Sequence, residues 1–192
     1  MAAKSFVWVI FAIIMRRFLA ISVIVLSFFT GCGKEEGSKS SGTATIYNTL
    51  YGTGPYYALG FSFSLGREVS TLGNPKPDIT LIADEDIDGT IRRLLLQTEN
   101  FKNSFYRYGQ YSDAAEASAA FRNLVSASVP AWEESGENIA ANQIWIFRTG
   151  SEHYAKFRII NTVAEKRSGK AYAECTFEWV YQPDGTLTFP AE

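Results

Sequence analysis

Three carboxylates at alternate positions ahead of a glycine, Asp84-x-Asp86-x-Asp88-Gly89, are the residues of this 192-residue chain whose types and spacing come closest to a definite chemistry. Such a run can fold its oxygens around one Ca²⁺, the glycine permitting the sharp turn. Ile91 falls at the eighth position of the loop, where a helix-loop-helix calcium site is usually apolar. Position nine is Arg92 and position twelve is Leu95 instead of a bidentate glutamate, and the flanks read as strands. A full EF-hand is therefore excluded. Two readings stay open: a hairpin calcium loop with Asp84, Asp86 and Asp88 as ligands, or an acidic solvated turn whose repulsion is relieved by Arg92, Arg93 and water.

Catalytic chemistry has little to stand on. The chain holds no Gly-x-Ser-x-Gly, no His-Glu-x-x-His and no phosphate-binding glycine loop. Glu133, Glu134 and Glu137 are close in sequence, but adjacency does not set two carboxylates across a substrate. The single histidine, His153, sits at a turn and reads as solvated. Cys175 lies in an alternating apolar segment and reads as a small buried hydrophobe. A non-enzymatic protein is expected. Tyrosines offer a different chemistry: Tyr47, Tyr51, Tyr56 and Tyr57 crowd a Gly-rich stretch, and Phe105, Tyr106, Tyr108 and Tyr111 crowd a second loop beside Arg107. On loops, such rings present wide amphipathic contact surfaces, so Tyr56, Tyr57, Tyr106 and Tyr108 are candidates for binding a small ligand or a protein partner; the alternative is rim packing.

The N-terminus constrains where that binding happens. Residues 6–30 are apolar except for Arg16 and Arg17, which would lie near the middle of a membrane span, at about 2.5–3.5 kcal/mol each. From Met15, an alternative start, the stretch has a basic head, the apolar run Phe18–Phe29 and small residues before Cys32, the three-part layout of a secretory signal. Phe29-Thr30-Gly31-Cys32 resembles a bacterial lipobox, with Phe29 where leucine is usual. The resemblance implies that residues 1–31 are removed and that Cys32 carries lipid, several acyl chains being what stable anchoring requires. Lys34-Glu35-Glu36 looks like a surface-export signal of some gram-negative lipoproteins, or is simply a solvated tether. An outer-membrane, cell-surface location is the expectation. Residues 32–43 then form a lipidated cysteine and a Gly/Ser/Lys/Glu-rich linker, and 44–192 a single domain. Removing the three positive charges of residues 1–31 takes the formal net charge from −2 to −5, so nucleic acid is not an expected partner. Cys175 is the only cysteine besides Cys32, which excludes an intrachain disulfide once Cys32 is lipidated.

The elements that must position these side chains are mostly strands. Apolar residues alternate over 57–65, 78–83 and 90–97, the last two joined by the acidic turn. Residues 142–148 and 153–163 flank a Thr-Gly-Ser-Glu turn and predict a hairpin. Residues 171–182 put Ala173, Cys175, Phe177, Trp179 and Tyr181 on one face, and Pro183-Asp184-Gly185 predicts a closing hairpin with 186–189. One helix interrupts them, capped by Ser112 or Asp113, with Ala114, Ala117, Phe121, Leu124 and Val125 as its apolar stripe and Pro130 beyond. With 46% apolar and 15% aromatic residues a real core is expected. The fold class is mainly β (α+β), an antiparallel, sandwich-like domain with one or two short helices.

The segments His153–Ile159 and Thr176–Gly185, with Phe61-Ser62-Phe63-Ser64-x-Gly66 and Pro77-Asp78-Ile79, resemble the HmuY-like lipoprotein family, the last 40 residues most closely. That resemblance implies an outer-membrane-anchored antiparallel β protein, some of whose members bind haem through axial His or Met. Those ligands do not carry over: Met1 and Met15 precede Cys32 and His153 stands alone, which leaves only a His153–Tyr or Tyr–Tyr pair for haem. No cofactor is required by this reading, and Ca²⁺ is the alternative.

Overall fold

Residue alternation builds a five-stranded antiparallel sheet at the centre of the domain. The structure, a computed structural model of the chain, describes residues 40–48, 59–100 and 102–190. Cys32, the signal segment, Tyr56 and Tyr57 lie outside the described residues. In chain order the elements are β1 (Ser41–Tyr47), β2 (Leu59–Ser62), β3 (Arg67–Ser70), β4 (Thr80–Glu85), β5 (Ile91–Gln97), β6 (Phe105–Gln110), α1 (Ala114–Asn123), β7 (Gly136–Glu137), β8 (Gln143–Arg148), β9 (Tyr154–Arg167) and β10 (Lys170–Gln182). The main sheet runs β1-β10-β9-β8-β6, and two smaller sheets, β2-β3 and β4-β5-β7, supply the facing layer. Every pairing is antiparallel. The fold is thus mainly β and sandwich-like, with one short helix among the described residues. No helix among them is long and apolar enough to cross a membrane.

The principal core lies between the layers. Ala173, Cys175, Phe177, Trp179 and Tyr181 of β10 are all buried on its inner face, as the alternation requires, and Phe157, Trp145 and Phe147 join them. Phe61 and Phe63 answer from the other layer, Phe63 lying within 5.4–6.4 Å, centroid to centroid, of the rings of Phe61, Phe147, Phe157, Phe177 and Trp179. Such ring pairs contribute about 0.5–1.5 kcal/mol each beyond their buried area. β8 is apolar at consecutive positions because it is covered on both faces: Trp145 and Phe147 point into this core, Ile144 and Ile146 into a second one beneath α1.

That second core fixes the helix. Asp113 is its N-cap, its side chain accepting from the N–H groups of Ala115 and Glu116 at 2.9 Å each. Ala117, Phe121 and Leu124 are buried against Ile144, Ile146 and Val180, whereas Ala114 and Val125, placed on the apolar stripe by spacing, are exposed. Lys156 of β9 is fully buried under the last turn, its Nζ donating to the carbonyls of Phe121 (2.8 Å) and Leu124 (3.1 Å). A cation there satisfies carbonyls that a helix end leaves without intrahelical partners and faces the negative end of the helix dipole.

Four sequence expectations change. The linker ends sooner, since Ser41, Gly42 and Thr43 already pair with Val180, Trp179 and Glu178. The alternating run 57–65 yields a strand only over Leu59–Ser62, because the chain turns at residues 63–66 to enter β3. Phe105–Gln110, read as a loop, is edge strand β6, its side chains too polar to show a strand pattern. Residues 186–189 do not form a hairpin with β10: Ala127 N–H donates to Leu187 O and Phe189 N–H to Val125 O, so the chain's last turn returns to the segment after α1 and places Phe189 in the second core.

Candidate functional site

The acidic turn is the tip of the β4–β5 hairpin, and its three aspartates do different work. Asp84 Oδ2 accepts from Arg92 Nη2 and from Arg93 Nε, each at 2.9 Å, and the two guanidinium groups, Arg93 first, hold its carboxyl below the usual range. Asp86 and Asp88 instead turn inward and both accept from the Thr90 N–H, at 2.9 and 2.8 Å. Asp88 is held down to about 2 by its hydrogen-bonded neighbour Asp86 and then by Thr90. Asp84 is therefore drawn away from the other two, and among the described residues no group of three or more His, Cys, Asp or Glu is gathered to hold a metal ion. Gly89 sits at φ 79°, as the turn needs, and Ile87 at the apex is fully exposed. Lys166 of β9 pairs with Glu85 and ties this tip to the far end of the β9–β10 hairpin.

Tyr106 and Tyr108 come together on β6, at the edge of the main sheet. Tyr106 lies half-buried over the core beneath α1, and Tyr108 is 41% exposed. Tyr108 is the extra residue of a bulge: Arg107 faces Trp145 and Gly109 faces Ile144, with nothing opposite the tyrosine between them. Tyr111 joins the pair from the next turn. Its ring lies on Gly109, where an added Cβ would come within 2.9 Å of it, and burial followed by the neighbouring Tyr108 and Glu116 raises its hydroxyl. Arg107 stands over the Trp145 ring at 6.0 Å. The edge thus displays three phenols and a guanidinium, the makings of an amphipathic contact surface.

A third cluster escaped the sequence reading. Asp78, just ahead of β4, accepts the Phe63 N–H at 2.8 Å, and the Ser62 hydroxyl and the Ser64 backbone N–H help to hold it. Burial nevertheless pushes its carboxyl up to about 6, outweighing those bonds. Its charge reaches Tyr181, whose hydroxyl is raised by burial first and by Asp78 second. Tyr181 OH in turn meets His153 Nδ1 at 2.7 Å. His153 is therefore a partly buried, hydrogen-bonded residue and not a freely solvated one. A carboxyl that titrates near neutrality beside a phenol–imidazole pair can hold a proton or accept a donor group. The signal in the sequence was an aspartate at the mouth of an apolar strand, but its partners lie 15 and 103 residues away in the chain. Comparison of the chain with family models, with curated proteins and with solved structures finds no match.

Proposed function

We propose that this protein is a lipid-anchored, surface-facing bacterial lipoprotein whose β domain is a non-enzymatic binding module, related to the HmuY-like family. The observation that carries the reading is the junction at Cys32, where a signal-like segment ends in Phe29-Thr30-Gly31-Cys32 and a short polar stretch leads straight into β1. The domain's geometry supports it. The chain enters at Ser40, whose carbonyl accepts from Tyr181 N–H, at the end of the sheet opposite the β9–β10 turn. Val180 and Lys170 are ten residues apart on one strand, so that turn stands roughly 33 Å from the tether at about 3.3 Å per residue. A module fastened at one end of the sheet holds the β9–β10 turn away from the tether, while the tyrosine edge lies level with the tethered end on the opposite lateral edge of the sheet, Tyr106 sharing a register line with Ile146, Lys156, Val180 and Ser41.

The Asp78 cluster favours binding over catalysis. Its hydrogen bonds go to groups that clamp the end of β2 to the start of β4, which is positioning and not chemistry on a substrate. Ligand contact is assigned to Tyr106 and Tyr108, with Tyr56 and Tyr57 as further candidates. The test has two arms. Cys32→Ala should move the protein from the membrane to the soluble fraction, and retention on membranes would refute the anchor. Tyr108→Ala should weaken binding of a partner captured by the wild-type protein by roughly tenfold, a truncated aromatic contact being worth more than about 1 kcal/mol; unchanged binding would refute the edge.

A further inference from the structure

The turn from β6 into α1 gathers three oxygen acceptors. Tyr108 is 41% exposed at the β6 bulge, and Tyr111 folds back onto the same stretch, its hydroxyl 3.0 Å from where a Cβ on Gly109 would stand. Ser112, the next residue, gives its N–H (3.2 Å) and its hydroxyl (2.7 Å) to Glu116 Oε2, which draws that carboxylate in beside the turn. The Tyr111 hydroxyl lies within electrostatic reach of Tyr108 and Glu116 alike. Both bonds to Glu116 fall on Oε2. Its Oε1 and the hydroxyls of Tyr108 and Tyr111 accept no hydrogen bond among the described residues.

The two arginines that flank this turn in the sequence are directed elsewhere. Arg107 faces Trp145 on the principal-core side of the sheet, its guanidinium 6.0 Å from that ring, whereas Tyr111 packs on the second core. Arg122 donates to Ser118 Oγ at 2.7 Å further along the helix. The formal net charge of −5 carried by the chain after residue 31 also favours a cationic guest.

We infer that this turn receives a lysine side chain of a partner polypeptide, with Glu116 and the phenols of Tyr108 and Tyr111 as its acceptors. A lysine ammonium has three N–H donors and no acceptor, which suits one carboxylate oxygen and two hydroxyls. The faces of the same rings attract a cation, and they offer apolar surface along which the lysine methylenes can lie while the head stays wet. Arginine fits less well. Its planar fork asks for two parallel acceptors, and Glu116 Oε2 is already engaged by Ser112. The inference rests on the binding-module reading of the tyrosine edge and names the chemistry of its guest.

The test adds N-acetyl-lysine N-methylamide to the full chain in detergent micelles, its tyrosine rings isotopically labelled for nuclear magnetic resonance and the signals assigned with Tyr108→Phe and Tyr111→Phe. Both ring signals should shift and saturate at millimolar probe. The uncharged norleucine analogue should shift neither, and methylammonium, a head without a stem, should bind more weakly than the lysine probe. Glu116→Gln keeps an acceptor for Ser112 and should weaken the lysine probe roughly three- to fivefold, as should Tyr108→Leu at an exposed position. Glu165→Gln, the same change of charge toward the far end of β9, should leave binding unaltered. The inference is overturned if the lysine probe shifts neither ring, if norleucine or methylammonium does as well, or if Glu165→Gln weakens binding as much as Glu116→Gln. Rings that answer to norleucine alone would leave the tyrosine edge a binding surface with an apolar guest, whereas loss of the edge itself is read from partner capture by Tyr108→Ala, so the two failures are told apart.

Discussion

Asp78→Asn should make the domain more stable at neutral pH, and the size of the gain follows from the burial of one carboxyl. In the folded protein Asp78 titrates at about 6 against an ordinary value of 3.8. The folded state therefore binds this proton more tightly than the unfolded state does. The stability associated with the neutral form is complete below the unfolded value and is lost as the pH rises through about 6. A shift of about two units at 1.36 kcal/mol each puts the loss near 3 kcal/mol by pH 8, as an order of magnitude. Asparagine keeps an oxygen for the Phe63 N–H and can turn its amide to the Ser62 hydroxyl, and it has no charge to bury. Urea unfolding of the protein and the variant at each pH from 4 to 8 isolates the effect, since other groups titrate alike in both. The two curves should nearly meet at pH 4 and diverge in favour of the variant by pH 8. A difference that does not change with pH, or one that favours aspartate at pH 8, would refute the account of Asp78 as a carboxyl held against its burial.

Other outcomes follow from single contacts. Burial, with a smaller push from Glu174, raises the Cys175 thiol to about 12, so in a Cys32→Ala background it should not react with a thiol reagent at pH 8 until urea unfolds the chain. Asp113→Ala removes the acceptor for two N–H groups at the start of α1 and should cost about 1 kcal/mol in urea unfolding. Phe63→Ala takes away a ring that touches five others and should cost about 3–5 kcal/mol, enough to abolish folding of a marginal domain as judged by near-ultraviolet circular dichroism. Gly109→Ala should displace the Tyr111 ring and change tyrosine fluorescence while the midpoint moves little.

Local chemistry explains what could be read from the sequence. β10 and the β8–β9 hairpin were legible because each buries one face or both, and burial writes itself as alternation or as an unbroken apolar run. The Asp113 cap was legible because capping acts over three residues. β6 was not, since an edge strand with tyrosine, arginine and glycine lacks the pattern of a covered one, and its pairing partner lies near residue 145. The return of 186–189 to the segment after α1 was hidden by a Pro-Asp-Gly turn that equally suits a hairpin; the burial of Phe189 beside Phe121 decided it. Of the candidate sites, the aspartate turn does lie at the tip of a hairpin, and the spacing of Arg92 and Arg93 alone does not show that both guanidinium groups converge on Asp84. The Asp78–Tyr181–His153 cluster depends on contacts across the whole chain and left no local trace.

The first strand of the domain pairs with its last: Thr45 of β1 lies opposite Thr176 of β10, 131 residues further along the chain. During synthesis the main sheet therefore cannot close until almost the entire polypeptide has left the ribosome, and the helix cannot be sealed until Phe189 follows. Contacts of such long sequence separation form slowly. A chain arranged in this way stays open while it is being made, and an open chain is the form in which a protein can be threaded through a translocation pore.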